Sequence, residues 1–150
     1  MPEHIALDKI ESVLRELIET LHGGQEGYQE FGARLHDPRA KRLFLEETQQ
    51  RAEYAAELEN ELHRMGVHDV KEEASPAAKL RHLWGEVQAH LASDQKALMS
   101  AAEKSDELAM KAYANALKQE LPLPLREMLD RQLAHIERSH DEVKALHDLG

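Results

Sequence analysis

The sequence contains no cysteine. That excludes disulfides, thiolate metal sites and cysteine nucleophiles at a stroke. Aromatic residues make up only 4%, and the chain has just 7 glycines and 5 prolines. No apolar run approaches the length a membrane span requires. The opening "MPEHIALDKI" carries neither a basic n-region nor an apolar h-region, so a soluble, cytoplasmic protein is expected. Basic residues are also short, 19 against 29 acidic, a formal charge of −10. Nucleic acids and anionic membranes call for a basic patch, so neither is an expected partner. A bound cation would relieve such a charge, but acidic surfaces are common, and the balance is only permissive.

What the chain does have is Ala, Leu, Glu, Lys, Arg and Gln in abundance, with few β-branched residues. These favour helix almost throughout. At 150 residues the expectation is one domain, 1–150, large enough to bury a core.

Apolar residues recur at helical spacing in four long blocks. The first runs from about Ile5 to Leu35, with Leu14, Leu17, Leu21, Tyr28 and Phe31 on one face. "HDP" ends it, and Asp37 before Pro38 reads as an N-cap followed by a proline in the first helical turn. The second carries Phe44, Arg51, Tyr54, Leu58 and Leu62 and stops at Gly66. A loop follows, then a short amphipathic stretch with Leu80, Trp84, Val87 and Leu91. The third long block runs from Asp94 to about Glu120, and "LPLP" separates it from the fourth, with Leu125, Leu129, Leu133, Ile136 and Val143.

Two tight turns and one long middle connection describe an all-α four-helix bundle. The connection, roughly Gly66 to Ser93 with its own short helix, is long enough to run the length of the bundle. The third helix would then start at the same end as the second, a ferritin-like crossover.

Every long helix carries a polar break in its apolar face. These are Gln25 on the first, Glu47 with Gln50 and Arg51 on the second, Glu103 and Asp106 on the third, and Gln132, Glu137 and His140 on the fourth. Counted from the turns at ~1.5 Å per residue, Gln25 and Glu47 share a height, as do Glu103 and His140. Only the crossover topology puts both pairs in one layer. Carboxylates and imidazoles projecting inward from four helices can hold iron, manganese or zinc. The Glu137-x-x-His140 spacing aims two ligands at one point. A lone Glu-x-x-His is weak evidence in an acidic helical protein, and its meeting with Glu103 and Glu47 would strengthen it.

The segments "GGQEGY", "QQRAEYAAEL" and "IERSHDEVKAL" carry a resemblance that spans Leu7 to Leu146. The chain resembles a bacterial family of ferritin-like four-helix proteins whose function is not established. The wider ferritin-like superfamily places Glu on its first helix, Glu-x-x-His on the second, Glu on the third and Glu-x-x-His on the fourth. That resemblance implies metal ligands at Glu47, Glu103, Glu137 and His140, with Asp106 in the same layer. Gln50 stands where the second helix would carry histidine, and Gln25 occupies the first helix's slot beside the outward-phased Glu26. The implied site is therefore reduced, binding one or two divalent ions with at most weak oxidase activity toward Fe²⁺.

The alternative is a metal-free structural or protein-interaction bundle, compatible with a homodimer. In it, Arg51 with Glu47, Glu103 and Asp106 forms a buried ion-pair network that fixes helix register. A third reading, a small-molecule carrier, needs an apolar cavity that the low aromatic content does not suggest. Tyr28, Tyr54 and Tyr113 read as core residues with satisfied hydroxyls. His63, His68 and His82 read as surface, and no His-x-x-x-His occurs that would suit a hemerythrin-type site.

Overall fold

The computed structural model describes residues 7–67 and 95–149, and among them every regular element is a helix. They are α1 (Leu7–Gly32), α2 (Pro38–Arg64), α3 (Gln95–Leu117) and α4 (Leu123–Leu149). The expected crossover and its extra helix fall on 68–94, outside the described residues.

Local chemistry sets the ends. Asp37 is the N-cap of α2: its carboxylate accepts from the backbone N–H of Arg39, with Pro38 opening the helix, as the "HDP" spacing predicts. At the other end Gly66 takes φ +91°, a conformation that disfavours side chains. There the Gly66 N–H donates to the His63 carbonyl and the Val67 N–H to the Leu62 carbonyl, the paired bonds that close a helix C-terminus. The first helix is shorter than its apolar pattern, since Ala33 to Leu35 form a turn. Leu35 still packs into the core, so periodicity alone overruns the end. Between α3 and α4, Arg126 donates to the carbonyls of Leu117 and Gln119 at 2.8 and 2.7 Å, satisfying groups that the end of α3 leaves unpaired.

The helices pack around a shared core, α1 against α2, α3 against α4, α1 against α3, and α2 against α4 least closely. At one end the side chain of Gln95, in the first turn of α3, accepts from the backbone N–H of His36 and Asp37. Close approach of α1 to α2 needs small residues: a Cβ at Gly32 would stand 3.0 Å from that of Phe44.

The apolar interior is two clusters. One gathers Leu14, Leu17, Leu21, Leu58, Tyr113 and Leu129, the other Tyr28, Phe31, Phe44, Leu98, Ala102 and Val143. In sequence each helix passes from one cluster to the other through a short interruption: Gly24 on α1, Glu47 to Arg51 on α2, Ser105 and Asp106 on α3, Ser139 on α4. Of the polar breaks read from the sequence, Glu47, Gln50, Arg51 and Asp106 stand at this division of the core, and the others lie away from it.

Candidate functional site: a polar layer between two apolar cores

Arg51 is wholly buried and heads the largest wholly buried side chains among the described residues. Its position on α2 follows from helical spacing, one turn beyond Glu47 and three residues before Tyr54. Nη2 donates to Asp106 Oδ1 at 2.6 Å and to Glu47 Oε1 at 3.4 Å. The Tyr28 hydroxyl donates to the same Oδ1 at 2.7 Å, and its ring lies under the guanidinium, 5.5 Å from Cζ to centroid. Three helices thus meet on one carboxylate oxygen. A Cβ at Gly24 would come within 3.2 Å of Arg51 Nη1, so α1 makes room for the cation by offering no side chain there.

Burial governs the electrostatics of this group. It pushes the Asp106 carboxyl up, to about 6, against the opposing pull of Arg51 and of the Tyr28 hydrogen bond. Burial alone would lower the Arg51 guanidinium, but Asp106, Tyr28 and Glu47 together raise it. Tyr28 is raised by burial first and by Asp106 next. The result is a fixed cation clasped by one carboxylate at close range and a second at longer range. Arg51 Nε and Nη1, Asp106 Oδ2 and Ser105 Oγ make no hydrogen bond to the protein, so the layer is charged, buried and only partly satisfied by protein groups.

The other residues singled out in the sequence separate from this centre. Glu103 pairs with His147, not with Glu47 or Arg51. His140 pairs with Glu107 at 3.1 Å, and Glu137 is exposed. Glu26 is also exposed, and Gln25 is half-buried against Nδ1 of His22 at 3.3 Å. Of the seven candidate ligands, only Glu47 and Asp106 meet, and Arg51 stands between them. Gln50 lies beside this pair on α2, lining the groove toward α4. Counting residues from a turn gives the height of a side chain but not its azimuth, which is why Glu103 and His140 part. Among the described residues, no three His, Asp or Glu side chains converge as metal ligands would.

Two further arrangements were not singled out. The Tyr113 hydroxyl donates to Gln132 Oε1 at 2.7 Å, and Gln132 Nε2 donates to Glu57 at 2.9 Å, tying α3 to α2 through α4. Glu47 also faces α4, its Oε2 3.5 Å from Nε2 of His135. A polar groove of ≈ 460 Å³ opens there between α2 and α4. The i, i+3 signal Gln132-x-x-His135 was available in the sequence, hidden by the more familiar Glu137-x-x-His140 five residues on.

Residues 9–119 match the family described as Domain of unknown function (DUF2383). The chain belongs to this family. No match to a curated protein was found. The DUF2383 match takes in α1, α2 and α3 with the whole of the Arg51–Asp106–Tyr28 cluster, and stops before α4. The groove lined by His135 and Ser139 therefore draws four of its nine residues from beyond the matched segment.

Proposed function

We propose that this DUF2383 protein is a ferritin-like helical bundle in which an Arg51-centred ion-pair network fills the core position a metal would take, and that it serves as a structural and protein-interaction module. The carrying observation is the wholly buried guanidinium 2.6 Å from Asp106 and 3.4 Å from Glu47. A divalent ion drawing on those carboxylates would have to face that cation in a low-dielectric interior, where like charges repel strongly. The other donors do not make up the set, because Glu103, Glu137 and His140 are turned elsewhere. The residues therefore do not fit a carboxylate/histidine metal centre.

The crossover is supported by Gln95, which sets the start of α3 against the turn where α2 begins. A connection between two helices so placed must return the length of α2, ~40 Å for 27 residues. A cytoplasmic setting is part of the same proposal, in keeping with helices none of which is long and apolar enough to cross a membrane among the described residues.

The interaction partner we favour is a second copy. A groove on the outer side of α1 and α2 has an apolar floor around Gly32, Ala33, Pro38 and Leu45, the last 59% exposed. Lys41 and Arg42 flank it on α2. Glu26 and Glu30 share the face of α1 that carries Gln29 and Ala33, by helical spacing. A two-fold axis through the groove sets the bases of one copy against the acids of the other.

Two experiments test the reading. Elemental analysis of untagged protein, with Fe²⁺, Mn²⁺ and Zn²⁺ titrations of wild type and His140→Ala followed by thermal denaturation, should find no stoichiometric metal and no cation-dependent stabilisation. Near-stoichiometric metal that His140→Ala abolishes would restore the metal-site reading. Sedimentation equilibrium should show a dimer that Leu45→Lys dissociates, and a monomeric wild type would remove the proposed interface.

A further inference from the structure

The groove between α2 and α4 is a second polar site beside the ion-pair network, sharing only Glu47 with it. Ser139 is 97% buried there (3% exposed), yet its hydroxyl makes no hydrogen bond. That is unusual for a helical hydroxyl, which ordinarily returns to the carbonyl one turn back. Thr20 and Thr48 do so in this same protein, to Glu16 and Phe44 at 2.8 and 2.9 Å, whereas Ser105, in the ion-pair layer, shares the unbonded state of Ser139. A second buried polar atom of the groove, Gln50 Oε1, is also without a hydrogen bond, and His135 Nε2 has only the Glu47 carboxylate, 3.5 Å away. Most buried polar atoms in folded proteins are paired, so two oxygens left over in one groove point to a missing donor.

The charge around them has one dominant sign. Glu46, Glu47, Glu53 and Glu142 line the groove against a single Arg138. Glu47 is divided between the two sites, its Oε1 toward Arg51 and its Oε2 toward His135. On α2 the acceptors spread from Glu46 to Glu53, and on α4 from His135 to Glu142. Each spread is seven residues, ~10 Å of helix.

We propose that this groove binds a small organic cation carrying two or more primary ammonium groups. One ammonium donates to Ser139 Oγ, Gln50 Oε1 and Glu47 Oε2 on the floor. His135 Nε2, 3.5 Å from Glu47 Oε2, borders this floor. A second ammonium, several ångströms away, is met by Glu53 and Glu142 at the rim. A bare metal ion suits the groove less well. At ≈ 460 Å³ the space far exceeds a coordination sphere, and the acceptors are strung along two helices. An ammonium supplies three donors and a chain that spans the acceptors, whereas an anion would meet carboxylates.

The test is isothermal titration of the full chain with spermidine and, separately, with Mg²⁺ and Zn²⁺, at ~0.15 M salt so that diffuse attraction to a −10 protein is screened. Glu53 and Glu142 are exposed, so Glu53→Gln/Glu142→Gln should fold normally. The remote pair Glu16→Gln/Glu120→Gln makes the same charge change on other surface. Spermidine should bind saturably at one site, about 10-fold more weakly in the groove variant and unchanged in the remote one. Ser139→Val should weaken it further without altering the helical circular dichroism. Equal weakening by the remote pair would reduce the effect to net charge and overturn the site. So would saturable binding of Mg²⁺ or Zn²⁺ with none of spermidine, or no saturable binding at all.

Discussion

Replacing Arg51 by methionine removes the one buried cation among the described residues and leaves Asp106 and Glu47 in the core without it. Both carboxylates are almost wholly buried, at 0% and 2% exposure, so neither can recover solvation by rotating outward. Deleting one partner of a buried ion pair costs about 3–5 kcal/mol, chiefly because the remaining charge is stranded. At ~2–4 °C per kcal/mol for a domain of this size, Arg51→Met should lower Tm by about 6–20 °C. Asp106 already tends toward the neutral form through burial, so loss of the guanidinium should drive it to take up a proton near neutral pH. The penalty should therefore be smaller at pH 5 than at pH 8. A compensated variant, Arg51→Met with Asp106→Asn and Glu47→Gln, nearly keeps the volume, removes the stranded charges and leaves the Tyr28 hydroxyl an acceptor. It should return to within about 1–2 kcal/mol of wild type, since buried ion pairs are often replaceable by neutral groups of similar volume. Urea unfolding followed by far-ultraviolet circular dichroism measures all three, with unchanged m-values certifying that the native state has not loosened. A single-variant cost below about 1 kcal/mol would mean the pair contributes nothing. A compensated variant as unstable as the single one would mean that packing around Arg51, and not its charge, is what matters.

Asp106, with its carboxyl raised from 3.8 to about 6, binds a proton more readily folded than unfolded. The stability this contributes is complete below about pH 4 and lost as pH rises through about 6. The free-energy gap between wild type and Asp106→Asn should accordingly favour wild type by about 2–3 kcal/mol more at pH 4 than at pH 7, and a pH-independent gap would contradict it. Gly32→Ala should destabilise by about 1–3 kcal/mol, since the added methyl meets the Phe44 Cβ at 3.0 Å and neither backbone can yield cheaply; equal or higher stability in urea would show that α1 can shift. Tyr113→Phe removes the donor to Gln132 Oε1 and should cost about 1–3 kcal/mol for the acceptor left buried, read by the same unfolding curves.

Much of the fold was legible because its signals are local. Asp37-Pro38 and Gly66 act on their own neighbours, through a carboxylate that caps and a backbone that only glycine adopts easily, and both helix ends fall where those residues put them. The apolar stripe of α2 is equally direct, and it carried Arg51 into the interior along with Phe44, Tyr54 and Leu58. Arg51 was legible as a polar residue on an apolar face, and Asp106 as its counterpart on α3.

The partners were less legible, because they depend on how far each helix is rotated about its own axis. Glu103 and Asp106 are three residues apart and both seemed to face inward; a rotation of the helix by less than one residue's step decides which reaches the core. Asp106 does, and Glu103 is left beside His147. On α4 the same rotation buries Gln132 and Ser139 and exposes Glu137, so the Glu-x-x-His spacing pointed at a face that turns away. Gly24 supplies the physical reason for the outcome. A glycine opposite Arg51 leaves a recess that only a long side chain from another helix can fill, and once the guanidinium occupies it, Asp106 is the carboxylate within reach. Gly24, next to the Gln25 read as the first helix's ligand slot, is where α1 yields space to a cation, and that exchange of a side chain for room is what gives this bundle a charged centre of its own making.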